Sequence, residues 1–192
     1  IFLVTGPTGS GKTTTLYGAL AELNREDRKL ITVEDPVEYR LPGINQVQVN
    51  EKIELSFAKV LRASLRQDPD ILLLGEMRDQ ETAQIGMRAA MTGHLVLSTL
   101  HTNDAISTPI RLLDMGVPRY MMGSSLQAVL AQRLVRVICE SCRSPHVLSP
   151  AEQEWISVDL QQDMINQTQF HAGRGCGHCN GTGYRGRMGV YE

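Results

Sequence analysis

The chain has 192 residues, 42% of them hydrophobic, enough to bury the core of one ordinary domain plus a small appendage. Its 19 Lys and Arg stand against 21 Asp and Glu, a net charge of −2 that carries no footprint for a nucleic-acid backbone, so no direct nucleic-acid partner is expected. No apolar run is long enough to span a bilayer, and the first residues lack the layout of a signal peptide.

Residues 1–5 read as a buried strand, followed by a glycine loop and a helix from Lys12 to about Asn24. Leu30 to Val33 is the second strand. Residues 39–49 contain Pro42-Gly43 and then alternate, which predicts a turn and a short accessory strand or hairpin arm. Ser56 is an N-cap for a helix to about Gln67. Asp70 to Leu74 is a strand, Asp79 to Met91 a helix closed by Gly93, and His94 to Thr99 a further strand. Helices are then predicted around residues 104–115 and 124–136. Met87, Met91, Met115, Met121 and Met122 read as helix-face packing. From Cys139 the texture changes, with two C-x-x-C pairs flanking a polar, helical insert at 149–170. The alternation predicts an α/β fold with a mostly parallel sheet. The expected division is a core over 1–138, a tetracysteine metal module over 139–185 and the start of a further core strand over 186–192. Because the chain opens directly on a strand, it reads as a piece of a longer polypeptide.

Gly6-Pro7-Thr8-Gly9-Ser10-Gly11-Lys12-Thr13 matches G-x-x-x-x-G-K-[ST] in full, between a strand and a helix. The glycines let successive N–H groups turn inward as an anion nest, and the helix start adds its positive end. Lys12 places a point charge on the outer phosphates, and the Thr13 hydroxyl reaches Mg²⁺. Gly6 through Thr13, with Thr14, are therefore the candidate nucleotide-binding residues.

In an open α/β sheet, ligands sit beyond the carboxyl ends of the strands. The second strand ends in Glu34-Asp35, the third long one in Gly75-Glu76, and the next in Leu100-His101-Thr102. Hydrolysis needs one carboxylate to orient water and another to hold Mg²⁺ or its waters. Glu76 stands where the metal-side acid is expected, although Gly75 occupies the place where Asp is commonest. That leaves Glu34 as the better candidate for the general base. A satisfied polar residue would also account for His101, but its place at a strand end favours sensing of the γ-phosphate. Arg62 and Arg66 are four apart on one helical face, which by itself reads as a solvated basic surface.

All four cysteines fall in the pairs Cys139-x-x-Cys142 and Cys176-x-x-Cys179. Two such pairs complete a closed Cys₄ site, structural in character and suited to zinc, with iron–sulfur as the rival. A redox dithiol would need one pair only.

Together these motifs resemble the secretion ATPases of the type II secretion and type IV pilus assembly superfamily. The resemblance covers essentially the whole chain. It rests on Gly6 to Thr13, on Ile31-Thr32-Val33-Glu34-Asp35-Pro36-Val37-Glu38, on Leu65-Arg66-Gln67-Asp68-Pro69-Asp70 through Gly75-Glu76-Met77-Arg78-Asp79, and on Thr92-Gly93-His94 through Leu100-His101-Thr102-Asn103-Asp104. Within that family the chain is most similar to ATPases of mannose-sensitive haemagglutinin-type pili. The resemblance implies a RecA-like core, a ring of six subunits and nucleotide bound between them. It assigns Glu34 as general base, Glu76 as the Walker-B acid and His101 as a γ-phosphate sensor, and it directs Arg62 and Arg66 toward nucleotide across an interface. It further implies ATP, Mg²⁺ and Zn²⁺ as cofactors, an inner-membrane platform protein and other secretion or pilus components as partners, and a cytoplasmic position at the inner face of the inner membrane. Membrane association would run through partners only. Members carry a domain upstream of the phosphate loop, so this stretch alone is expected to bind nucleotide poorly. The alternatives are a related ATPase for DNA uptake, a nucleotide-dependent switch or scaffold without turnover, and a small-molecule kinase; Glu34 and Glu76 together argue against the switch, and the Cys₄ module against the kinase.

Overall fold

Short apolar runs too brief for helices, each followed by an amphipathic run of ten or so residues, can bury both faces only as a helix-covered parallel sheet. The computed structural model describes residues 1–192 and has that arrangement. It divides into two compact units, Ile1–Arg133 with Gly189–Glu192, and Leu134–Met188.

In the first unit the order is β1 (Phe2–Thr5), α1 (Lys12–Leu23), β2 (Leu30–Glu34), β3 (Asn45–Gln48), α2 (Phe57–Leu65), β4 (Ile71–Leu74), α3 (Gln80–Met91), β5 (Leu95–Leu100), α4 (Ser107–Asp114) and α5 (Arg119–Ser125), and then β6 (Ala128–Ile138) begins. With β9 (Tyr184–Tyr191) these strands form one sheet of order β3-β2-β4-β5-β1-β6-β9, parallel from β3 through β6. At its end Ala131 and Glu192 exchange both backbone hydrogen bonds, the antiparallel pattern. Strand residues alternate between two cores. Val4, Leu30, Ile71, Leu73 and Leu97 pack under α1 with Leu16, Tyr17 and Leu20. Leu3, Ile31, Val33, Leu72, Leu74 and Val96 face the opposite way, with Leu61, Met87 and Met121. By the same period of two, Thr32 and Glu34 stand on the α1 face.

Several local expectations are met. The Ser56 hydroxyl caps α2 through the Lys59 N–H, and the Asp79 carboxylate caps α3 through the Thr82 N–H at 2.8 Å. Pro42-Gly43 turns the chain into β3, which is an edge strand parallel to β2 and not a hairpin arm. Met87, Met121 and Met122 are buried, whereas Met91 is exposed.

The predicted helix over 124–136 is overturned. Only its first two residues are helical, in α5, and an 11-residue strand, β6, follows. Leu126, Val129, Leu130 and Leu134 have helical spacing, but Val129, Val135, Val137 and Ile138 are β-branched and stiff at χ1. The strand pairs Phe2–Thr5 with Ala128–Ala131, so Val129 and Leu130 each reach a different face of the sheet. Pairing with the central strand outweighs a helical pattern that has no second partner.

The second unit holds β7 (Arg143–Pro145), α6 (Pro150–Ser157), α7 (Gln162–Gln167) and β8 (His171–Gly173), with β7 and β8 antiparallel. Ser149 and Glu152 close α6 with a reciprocal capping box. The insert is thus helical, in two short pieces.

Candidate functional site

Register brings the strand ends together. Thr5 is level with Leu100 and with Ala131, so Gly6, His101 and Gln132 emerge abreast. Val33 is level with Leu74, so Glu34 emerges beside Gly75. Four carboxyl ends of parallel strands therefore open on one edge, with Gln132 of β6 alongside them, as anticipated for a ligand site.

The phosphate loop runs from β1 to α1 with Gly6, Gly9 and Gly11 at φ of 140°, 77° and 88°. Gly11 precedes α1 without any side-chain cap, and no acid lies in the first turn, so the leading N–H groups of α1 are left for an anion. Lys12 Nζ donates to Gly6 O at 2.9 Å and to Pro7 O at 3.1 Å, curling back over the loop. Burial holds the Lys12 ammonium below its ordinary range, and the charge of Glu76 offsets only part of that. Ser10 Oγ is buried and has no hydrogen-bond partner. An uncapped helix start, a buried cation with a donor to spare and an orphaned hydroxyl fit a polyphosphate chemically.

Gln132 was missed by the sequence reading, because a helix over 124–136 would have kept it away from the loop. It is buried at the end of its paired stretch, where Nε2 donates to Ser10 O at 2.8 Å and Oε1 accepts from Thr15 Oγ1 at 2.7 Å. It ties the loop and α1 to β6. A Cβ at Gly6 would lie 2.3 Å from Gln132 O, in a backbone region that side chains avoid. Gly6→Ala is therefore expected to cost about 1–3 kcal/mol of stability. It should also weaken nucleotide binding at least roughly tenfold. Thermal denaturation and a fluorescent-nucleotide titration check both; an unchanged melting curve and affinity would contradict this geometry.

At the neighbouring ends the charges form a chain. His101 Nε2 lies 3.1 Å from Glu76 Oε1, Arg78 Nε donates to Glu76 Oε2 at 2.5 Å, and Arg78 Nη1 reaches Asp35 Oδ2 at 3.3 Å. The bond to Glu76 is the main reason the Arg78 guanidinium is held above its ordinary range. Arg78 thus bridges two strand ends, a role that its place in the sequence motif does not reveal. Gly75 has its own reason to lack a side chain: a Cβ there would sit 3.3 Å from Glu34 Cα and from Val33 O. An Asp at that place would press on the β2 backbone, so Gly75 keeps the ends of β2 and β4 close.

Glu34 is buried on the α1 face. It accepts from the Tyr17 and Thr32 hydroxyls, and from Gln46 Nε2 at 3.3 Å. Burial first, then the bond to Glu34, raises the pKa of the Tyr17 hydroxyl, so it stays a donor at any working pH. Arg62 and Arg66 are not joined to this cluster. Arg62 lies in α2 and pairs with Glu81 at the surface, a contact worth about 0–1 kcal/mol, and Arg66 follows the end of that helix.

The four cysteine sulfurs all lie within 4.8 Å of one another. Cys139 to Cys176 and Cys142 to Cys179 are 3.9 Å, and Cys176 to Cys179 is 3.7 Å. A tetrahedral ion with metal–sulfur bonds of about 2.3 Å sets its sulfurs about 3.8 Å apart, so the donors fit zinc in kind, number and spacing. Cys139 N donates to Gly183 O and Arg174 N to Cys142 O, which locks the two knuckles face to face. Burial pushes the Cys142 thiol up to about 11. Burial acts the same way on Cys179 but is outweighed by N–H donors from Cys176 and Gly183, which bring it down to about 6. Gly183 (φ 76°) approaches Gly173 so closely that a Cβ would fall 2.5 Å from Gly173 O.

A family model described as "Type II/IV secretion system protein" matches residues 1–192. "Type II secretion system protein E" of Pseudomonas aeruginosa is 55% identical over all of this chain, which spans 38% of that protein. "Type IV pilus assembly ATPase PilB" of Myxococcus xanthus is 54% identical over 99% of the chain and 33% of its own length. Among solved structures, the pilus retraction motor PilT with bound ADP superposes with a TM-score of 0.67 at 45% identity, over 72% of this chain and 43% of that one. The VirB11 ATPase of the Brucella suis type IV secretion system, in complex with sulphate, gives 0.57 at 31% identity over 68% of this chain and 44% of that one.

Proposed function

The chain belongs to the type II/IV secretion system protein family, and from that premise we infer that it is the ATP-hydrolysing core of a hexameric motor for type IV pilus assembly or type II secretion. One observation carries the reading: an uncapped, glycine-lined phosphate loop shares a sheet edge with Glu34, Glu76 and His101.

Residues Gly6 to Thr14 hold the phosphates through N–H groups and the Lys12 charge, and Thr13 ligates Mg²⁺. Glu76 holds the metal's waters and Glu34 takes the proton of the attacking water. His101, paired with Glu76, senses the γ-phosphate. Arg62 and Arg66 approach nucleotide from a neighbouring subunit, once Arg62 leaves Glu81. Cys139, Cys142, Cys176 and Cys179 hold zinc. The core comprises 1–138, the zinc module 139–185, and 186–192 return to the core sheet. The motor works in the cytoplasm at the inner face of the inner membrane, through a platform protein.

The test is steady-state phosphate release by the full-length protein, which extends beyond this chain in its relatives. Mg²⁺-dependent turnover within the usual range of about 1–10³ s⁻¹ or somewhat below is expected. Tight ATP binding in a ring with no phosphate release would replace the motor by a switch or scaffold.

A further inference from the structure

Glu34 is 3% exposed, yet it sits at a strand end where an apolar residue would complete the α1 core at no desolvation cost. Its two oxygens are held separately. Oε2 accepts from the Tyr17 hydroxyl, and Oε1 accepts from the Thr32 hydroxyl and from Gln46 Nε2 at 3.3 Å. Three elements supply these donors: α1, β2 and the edge strand β3.

Burial alone would be served by any donors. Here each of the two long-range donors is itself aimed from behind. The Glu38 N–H donates to Tyr17 Oη at 3.3 Å, which directs the hydroxyl proton toward Glu34. The Leu41 N–H donates to Gln46 Oε1 at 2.7 Å, which turns the amide NH₂ of Gln46 toward Glu34 and the Tyr39 carbonyl. The Tyr17 ring is fixed in turn by an edge-on contact with Tyr39, centroids 4.7 Å apart. Tyr17 also lies four residues after Thr13 in α1, hence on the same helical face. The helix that carries the magnesium-side hydroxyl thus also carries the hydroxyl that sets Glu34. Thr32 pairs with Gln46 across β2 and β3, so the two donors to Oε1 share a register position.

We propose that Tyr17 and Gln46 are positioning residues for hydrolysis, holding the Glu34 carboxylate at the angle and depth from which it accepts the proton of the attacking water. The inference rests on Glu34 being the base. Neither residue touches nucleotide; both act through Glu34. A displaced base still leaves the phosphate loop intact, so the defect falls on turnover and spares affinity.

The test uses the full-length protein and measures phosphate release, single-turnover hydrolysis and fluorescent-ATP affinity. Tyr17→Phe keeps the ring and its edge-on contact with Tyr39 and removes only the hydroxyl. Gln46→Met keeps the volume and removes the donor, together with the acceptor for the Leu41 N–H, on the edge strand β3. Each is expected to lower kcat roughly 10- to 100-fold. Nucleotide affinity should stay within about twofold. In a Glu34→Gln background, Tyr17→Phe should add less than about a twofold further loss, because a missing base cannot be misplaced. Wild-type kcat in both single variants would overturn the inference, as would an equal loss from Tyr17→Phe with and without Glu34. Undiminished turnover in Glu34→Gln alone would instead remove Glu34 as the base, a separate failure visible in the same series.

Discussion

Glu34→Gln is expected to bind Mg-ATP within about threefold of wild type while hydrolysis falls roughly 100- to 10,000-fold. The substitution is nearly isosteric, and the site is built to tolerate it. Thr32 can rotate its hydroxyl to accept from the new amide, and the remaining carbonyl oxygen can still take the Tyr17 proton, while Gln46 Nε2 loses its acceptor at that position and keeps the Tyr39 carbonyl. Removing a buried charge relieves desolvation and offsets the lost Gln46 bond, so the melting temperature should stay close to that of wild type. What the amide cannot do is take a proton from water. Binding should survive because Lys12, Ser10 and the N–H groups of α1 are untouched. Phosphate release and a nucleotide titration on the same preparation separate the two effects. Turnover above a tenth of wild type would move the base to another carboxylate, with Glu76 the next to replace.

The sheet edge proposed for this chemistry was largely legible as geometry. Short apolar runs ending in Gly6, Glu34, Gly75-Glu76 and His101 required only parallel pairing to converge, and the pairing is parallel. What was not legible lies where a side chain's role depends on a neighbour far away in sequence. Gln132 braces the phosphate loop, but leucines at helical spacing around it hid the strand. Tyr17 looked like one more aromatic on a buried helical face, and nothing local says that its hydroxyl meets a carboxylate from β2. Gln46 was assigned to a turn and accessory segment, and its partner is set by the register of β3 on β2. Arg78 stands two residues after Glu76, and only the fold shows that it links Glu76 with Asp35. Local pattern gives the elements; cross-strand register gives the second layer of polar contacts.

Removing the zinc proposed for the tetracysteine cluster should unfold residues 134–188 while leaving the phosphate-binding unit folded. The reason is the shortage of anything else to hold the smaller unit. Its buried apolar side chains are Cys139, Ile165 and Cys179, two of them among the four clustered cysteines, while Trp155, Val147 and Val158 are exposed. Helices α6 and α7 have 8 and 6 residues, too short to persist in water unaided. A structural zinc contributes on the order of 10–16 kcal/mol at neutral pH, more than any core of that size could replace. The full-length protein should therefore retain about one zinc per chain through gel filtration. Cys139→Ser should lose it, since serine supplies no anionic ligand at neutral pH. Acid should also release the ion, because protons compete for each thiolate. Limited proteolysis of Cys139→Ser, or of wild type with a strong chelator, is expected to cut first within 134–188. The larger unit should keep a cooperative melting transition, because its two cores flank a sheet to which these cysteines contribute nothing. Visible absorbance with bound iron would replace zinc by an iron–sulfur cluster at the same sulfurs. A metal-free unit that still resists protease would show that the knuckle hydrogen bonds, Cys139 to Gly183 and Arg174 to Cys142, suffice on their own.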